Sequence, residues 1–142
     1  MPPQNDAERV VIAFMDTWGP GPYKETIYRG FQQWLTDDIE WGNNETSTNG
    51  IEPVLTQLDT CFAAKMEYCT YDLHNIASRG DIVLTERTDH VHRADDSIIV
   101  SIPIMGAFKV RDGKLCVYHD YFDSARMLEH WTEMAELALA QG

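Results

Sequence analysis

Apolar residues recur along the chain with two periods, one helical and one extended. Val10, Val11, Phe14, Met15 and Trp18 fall three or four apart behind a cap at Asn5 or Asp6, and Gly19-Pro20-Gly21-Pro22 ends the run. A second helix is predicted from near Tyr23, where Ile27, Phe31, Trp34 and Leu35 repeat that spacing until Thr36-Asp37-Asp38 breaks it. A third follows Asn49, which stands at capping-box distance from Glu52. Ile51, Val54, Leu55, Leu58 and Phe62 mark its apolar face, and Pro53 is tolerated in its first turn. A closing helix near 125–140 carries Met127, Leu128, Trp131, Met134 and Leu137.

The extended period appears first in 38–43, where Ile39, Trp41 and Asn43 take one side and Asp38 and Glu40 the other. Asn44 through Gly50 reads as a polar loop. From Glu67 onward, 67–78, 81–92, 97–110 and 114–122 are rich in β-branched and aromatic residues. The breaks at Ser78-Arg79-Gly80, Ala94-Asp95-Asp96 and Arg111-Asp112-Gly113 are short enough for an antiparallel meander, and Asp112-Gly113 is a strong hairpin signal. Pro103 suggests a bulge or an edge position. The order is helix, helix, strand, helix, four strands, helix, which predicts an α+β fold. Helices covering one face of a strongly bent antiparallel sheet can leave a conical cavity that suits apolar ligands.

At 142 residues with 44% hydrophobic content, the chain is expected to form one domain over 1–142 with a sizeable core. Four Trp, six Tyr and five Phe can line a cavity as readily as fill a core. The net charge of −12 disfavours nucleic acid and anionic membrane surfaces and leaves an uncharged or cationic small molecule as the easier partner. Cys61, Cys69 and Cys116 fit neither a disulfide framework nor a CxxC motif and read as reduced core thiols. The start of the chain lacks a basic region followed by an apolar stretch, and no run is long enough to span a bilayer, so a soluble cytoplasmic protein is expected.

Two strands carry charge where their faces are otherwise apolar. Period two puts Val83, Thr85, Arg87, Asp89 and Val91 together, and also Cys116, Tyr118, Asp120 and Phe122. Arg-x-Asp on a strand is ordinarily a solvated ion pair, and Asp120 alone could be a structural anchor. A buried carboxylate nevertheless needs a cation, donors or a proton, and Arg87 is the partner at hand. One guanidinium between two carboxylates can hold one ionised while the other keeps a proton, which makes an acid and a base. Opening an epoxide needs that pair: the ring oxygen must be protonated while an attacking water is deprotonated. Asn43 is available to fix the water.

In Thr85-Glu86-Arg87-Thr88-Asp89 and His119-Asp120-Tyr121-Phe122-Asp123 the sequence resembles the limonene-1,2-epoxide hydrolase family. Gly106-Ala107-Phe108-Lys109-Val110, followed by Asp112-Gly113-Lys114, is similar to that family's hairpin between the catalytic strands, and the element order matches over nearly the whole chain. The resemblance implies a cone-shaped pocket in a strongly curved antiparallel or mixed sheet covered by about four helices. This is the SnoaL-like and cystatin-like architecture shared by nuclear transport factor 2 and ketosteroid isomerase. It implies a homodimer, no metal and no organic cofactor. It also implies Asp89 as general acid, Asp120 as base, Arg87 as their bridge and Asn43 as holder of the water. Trp41, Tyr118 and Phe122 would line the substrate and water site. Trp41 stands where the family has tyrosine, and indole donates one hydrogen bond but accepts none.

His90 and His92 lie two apart without a third ligand at suitable spacing and read as solvated; His119 points away from Asp120. Met105, Met127 and Met134 read as core filler. Two further functions fit the same fold: a polyketide cyclase, isomerase or dehydratase working on a carbonyl compound without water, and a non-catalytic binding module for hydrophobic ligands.

Overall fold

The computed structural model describes residues 2–21, 24–63 and 66–125. Helix α1 (Asp6–Met15) starts where the Asn5 side chain accepts from the Glu8 amide at 2.9 Å, and it buries Val11, Phe14 and Met15. A 3₁₀ turn, Asp16–Trp18, then carries Trp18 into the core. Helix α2 (Lys24–Trp34) buries Ile27 and Phe31, and α3 (Ile51–Ala63) buries Val54, Leu58 and Phe62. These faces are the ones that the three-or-four spacing picks out.

The strands are β1 (Leu35–Asn43), β2 (Thr46–Asn49), β3 (Tyr68–Arg79), β4 (Ile82–His92), β5 (Ile98–Arg111) and β6 (Lys114–Tyr121). They form one open sheet in the order β2-β1-β6-β5-β4-β3. Strands β3 to β6 make the expected antiparallel meander, whereas β1 runs parallel to β6, so the sheet is mixed. Register shifts interrupt β3 at Leu73/Asn75, β4 at Val91/His92 and β5 at Lys109/Val110, the kind of irregularity that bends a sheet. On β4 the alternation is clean: Val83, Thr85, Arg87 and Asp89 are buried while Ile82 and Leu84 face outward. The helices pack on the buried side, where Phe14 meets Trp18, Phe31 and Tyr118 at ring-centroid distances of 5.2–5.5 Å.

Several expectations are corrected. Thr46–Asn49 is a strand rather than a loop, because its backbone pairs with β1 although its side chains are polar and mostly exposed. Leu35 opens β1 instead of closing α2; it is buried opposite Leu115 and suits either period. Three α-helices are described where about four were expected, and the predicted helix near 125–140, with Met127 and Met134, lies outside the described residues. His92 is buried, not solvated: it stacks on Tyr68 at 4.3 Å and bonds to Thr70 Oγ1 and the Asp96 carbonyl. Met105 is exposed on the outer face and fills no core among the described residues. Pro103 pairs with Thr88 on one side, beyond the point where β6 stops pairing with β5. Among the described residues no helix is long and apolar enough to cross a membrane.

Candidate active site

Arg87 is the largest fully buried side chain described, and its guanidinium is held on three sides. Nε donates to Asp89 Oδ1 at 2.8 Å and Nη2 to Asp89 Oδ2 at 3.2 Å, while Nη1 donates to Thr85 Oγ1 at 3.0 Å. Nη2 also donates to Asp120 Oδ2 at 2.7 Å, which joins the two carboxylates through one cation. The Trp18 and Phe108 rings flank the guanidinium at 5.5 and 5.9 Å. Removing one partner from a buried pair of this kind typically costs about 3–5 kcal/mol, because the other charge is left uncompensated.

Arg87 and Asp120 sit on strands that are not neighbours, since β5 runs between β4 and β6. The guanidinium crosses β5 at Gly106, which pairs with Thr85 on one side and Asp120 on the other. A Cβ at this position would lie 2.4 Å from Arg87 Nη1, so the bridge depends on a residue without a side chain. Gly106 is a residue on which this bridge depends and which the sequence-derived candidates lack; a glycine inside a strand pattern, where backbone or side chain must approach closely, is the signal for it. Trp18 and Thr85 hold the guanidinium in place; the sequence marks Trp18 only as part of an apolar helix face, and Thr85 as a face neighbour of Arg87 and a member of the Thr85–Asp89 motif.

The electrostatics single out Asp89. Burial alone would loosen the Arg87 proton, but Asp120 and Asp89 outweigh it and keep the guanidinium charged. Burial pushes Asp89 up to about 6 against the pull of Arg87, and the Asp120 charge pushes the same way. Burial and the Asp120 charge also raise Tyr118 well above the ordinary phenol range. Asp120 Oδ1 and Trp41 Nε1 are both buried without a hydrogen-bond partner among the described residues. Such orphaned groups are costly unless something bound satisfies them.

A cavity of about 430 Å³ of empty space, part of it open to solvent, lies between the helices and the sheet. Trp18, Ile27, Phe31, Leu58, Met66, Trp41 and Tyr118 line it together with Cys61 and Cys69, and Asp89 is the carboxyl that reaches it. Burial pushes Cys61 up to about 11 and Cys69 well above the ordinary thiol range, so both sulfurs stay protonated. Arg87 and Asp120 stand behind Asp89, outside the lining. Asn43 is half-buried and pairs with Asp120 along the parallel β1/β6 ladder, two residues beyond the Trp41–Tyr118 pair. Phe122 is half-buried just past β6, where its amide donates to Asn44 Oδ1 at 3.0 Å; neither Asn43 nor Phe122 lines the cavity. His119 bonds through its ring to the Asn44 carbonyl at 2.7 Å, so it takes no part in the carboxylate bridge. Among the described residues no group of His, Cys, Asp and Glu could hold a metal ion.

A family model described as the limonene-1,2-epoxide hydrolase catalytic domain matches residues 5–133. The fold is similar to that of an LEH-like epoxide hydrolase from M. tuberculosis, with a TM-score of 0.70 and 24% identity over 96% of this chain and 97% of that one. It is also similar to an SnoaL-like polyketide cyclase from Jannaschia sp. CCS1, with a TM-score of 0.72 and 13% identity over 92% and 94%. An NTF2-like protein of unknown function from Burkholderia pseudomallei gives a TM-score of 0.72 and 12% identity over 91% and 99%. At these identities the structural likeness speaks for the fold alone. Comparison with the curated proteins gave no match. The family match spans both charged strands and the glycine between them, and the chain belongs to the limonene-1,2-epoxide hydrolase catalytic-domain family.

Proposed function

We propose that this protein is a cofactor-independent epoxide hydrolase that converts an apolar terpenoid, cyclic or steroid-like epoxide to a vicinal diol. The observation that carries this reading is the buried Asp89–Arg87–Asp120 bridge with Asp89 raised to about 6. Asp89 faces the cavity and, when protonated, donates to the epoxide oxygen as the ring opens. Asp120 takes the proton of the attacking water in the same step, so no covalent enzyme intermediate forms. The free Oδ1 of Asp120 supports the base role, and the free Trp41 Nε1–H can donate to the water while Asn43 stands on the strand beside it. Arg87 bridges the acids, Tyr118 lines the cavity with its hydroxyl turned to the Asp120 carboxylate, and Phe122 stands just past β6 outside the lining. Because the acid form of Asp89 does the work, turnover falls as pH rises above about 6.

The same reading takes the chain as one cytoplasmic domain that pairs into a homodimer. Ile82, Leu84, Met105 and Tyr121 support the pairing, since they leave apolar surface exposed on the sheet face away from the cavity.

Trp41 favours a second reading. Without an acceptor at this position the cavity can exclude water, and the acid–base pair would then move protons on a carbonyl compound, as in a cyclase or isomerase.

The test is a mass-spectrometric screen of terpene, cycloalkene and steroid epoxides in oxygen-18 water, with wild type and Asp120→Asn side by side. Diol carrying one solvent oxygen, from wild type alone, is expected. Rearranged product without label would favour the isomerase, and absence of diol from every epoxide would overturn the hydrolase.

A further inference from the structure

The cavity combines aromatic walls with an unbalanced negative charge. Trp41 and Trp18 lie near-parallel to Tyr118, at 16° and 26° and centroid distances of 5.9 and 6.1 Å, and Phe31 closes the side at 76° to Trp41. Ring faces of this kind carry negative potential and attract cations. Arg87 is the cation next to this wall, and it is shared: with both carboxylates ionised, Asp89, Arg87 and Asp120 sum to one negative charge. Arg87 is wholly buried behind the wall, whereas the Asp89 side chain keeps 11% of its surface exposed and lines the cavity. Each Asp89 oxygen accepts from the guanidinium, which leaves lone pairs turned away from it. A net anion in an apolar enclosure is met by a proton or by a second cation.

We propose that this cavity binds hydrophobic amines as ammonium ions, with Asp89 accepting from the ammonium N–H and the rings of Trp18, Phe31 and Trp41 around the charged group. The alicyclic or aryl body of the amine fills the space lined by Ile27, Leu58 and Met66. A neutral ligand of the same shape gains the apolar burial without the charge-assisted bond or the attraction of the ring faces. The inference goes beyond hydrolysis and does not depend on it.

Proton and amine compete for the same carboxylate. The groups around Asp89 are Arg87 on its own strand, His90 from the opposite face, Asp120 and Tyr118 from β6, and Tyr71 and Cys69 from β3. Tyr118, Tyr71 and Cys69 are all held protonated, chiefly by burial. Amine affinity therefore rises with pH as Asp89 ionises, opposite to the direction expected for turnover.

Isothermal titration calorimetry with cyclohexylmethylamine and cyclohexylmethanol, at pH 8 and pH 5, tests the proposal. The amine is expected to bind about tenfold tighter than the alcohol at pH 8, and by less than about threefold at pH 5. Asp89→Asn should bring the two ligands within about threefold of each other at pH 8, which separates the cavity from general attraction to an acidic surface. Equal affinities at pH 8, no binding of the amine at pH 8, or an advantage unchanged at pH 5 would overturn the proposal. The pH comparison uses the unsubstituted protein, so it decides the matter even if the variant fails to fold. Neither ligand carries an epoxide, so the result stands apart from the presence or absence of hydrolysis.

Discussion

Gly106→Ala is the substitution that most sharply probes how the carboxylates are joined. The new methyl would sit 2.4 Å from Arg87 Nη1, 2.7 Å from Thr85 Oγ1 and 2.9 Å from Phe108 Cε1. The first contact is about 1 Å inside ordinary van der Waals separation. None of the three can swing away freely: the guanidinium is fixed by bonds to Thr85, Asp89 and Asp120, Thr85 is 1% exposed, and Phe108 stacks on Tyr118 at 5.3 Å. Overpacking at such a site costs about 1–3 kcal/mol. For a chain of this size that lowers Tm by roughly 3–12 °C. Displacing catalytic groups by about 1 Å costs on the order of 100-fold in rate. In the proposed hydrolysis, diol turnover should therefore fall by about that factor, in a protein that remains folded by circular dichroism. Gly80→Ala is the control, because its Cβ would meet nothing within 4 Å although φ is +62°. It should lose roughly 1–2 kcal/mol from backbone strain and keep its turnover. Gly106→Ala with Tm and turnover both unchanged would refute the idea that Arg87 reaches Asp120 through the gap in β5.

Two other outcomes follow from the orphaned and shifted groups. Asp89 has a folded pKa of about 6 against an ordinary 3.8, so between these values the native state binds more protons than the unfolded one, and stability falls as pH rises through that window. The full difference is roughly 3 kcal/mol. Thermal melts should show Tm higher near pH 5 than near pH 7.5, and Asp89→Asn should flatten that dependence; a wild-type Tm that climbs over this interval would contradict the sign. Trp41→Phe removes a buried donor that has no protein partner, so the fold should change by no more than about 1 kcal/mol. If Nε1 serves the attacking water, kcat should drop about tenfold with little change in KM, and an unaltered kcat would remove Trp41 from the water site.

The three described helices and the meander were legible because their apolar residues keep a strict period and their turns are short. Strand β2 was not, since Thr46-Ser47-Thr48 carries no apolar period and is a strand only through its backbone pairing with β1. The cue that went unread was the two-residue turn Asn44-Glu45, where Asn44 has φ of 54°, a value asparagine tolerates. Leu35 shows the limit of pattern reading, because a residue four beyond Phe31 and four before Ile39 satisfies both a helical face and a strand start. Arg87 and Asp89 were legible as a pair from period two alone. Their meeting with Asp120 was expected from the cost of burying a lone carboxylate, but its route across β5 was not, because that depends on long-range register and on the absence of a side chain at Gly106. Parallel pairing of β1 with β6, which sets Asn43 beside Asp120, likewise joins segments far apart in the chain and leaves no local trace.

In the proposed mechanism the Arg87 bridge leaves Asp89 able to hold a proton near neutral pH while Asp120 acts as the base. Carbon-13 NMR titration of the labelled Asp89 carboxyl, in wild type and in Asp120→Asn, tests this without any knowledge of the substrate. A midpoint near 6 is expected in wild type, moving down in Asp120→Asn as the like charge is removed. A wild-type midpoint at or below the ordinary carboxylate value would contradict it, because Asp89 would then hold no proton to give.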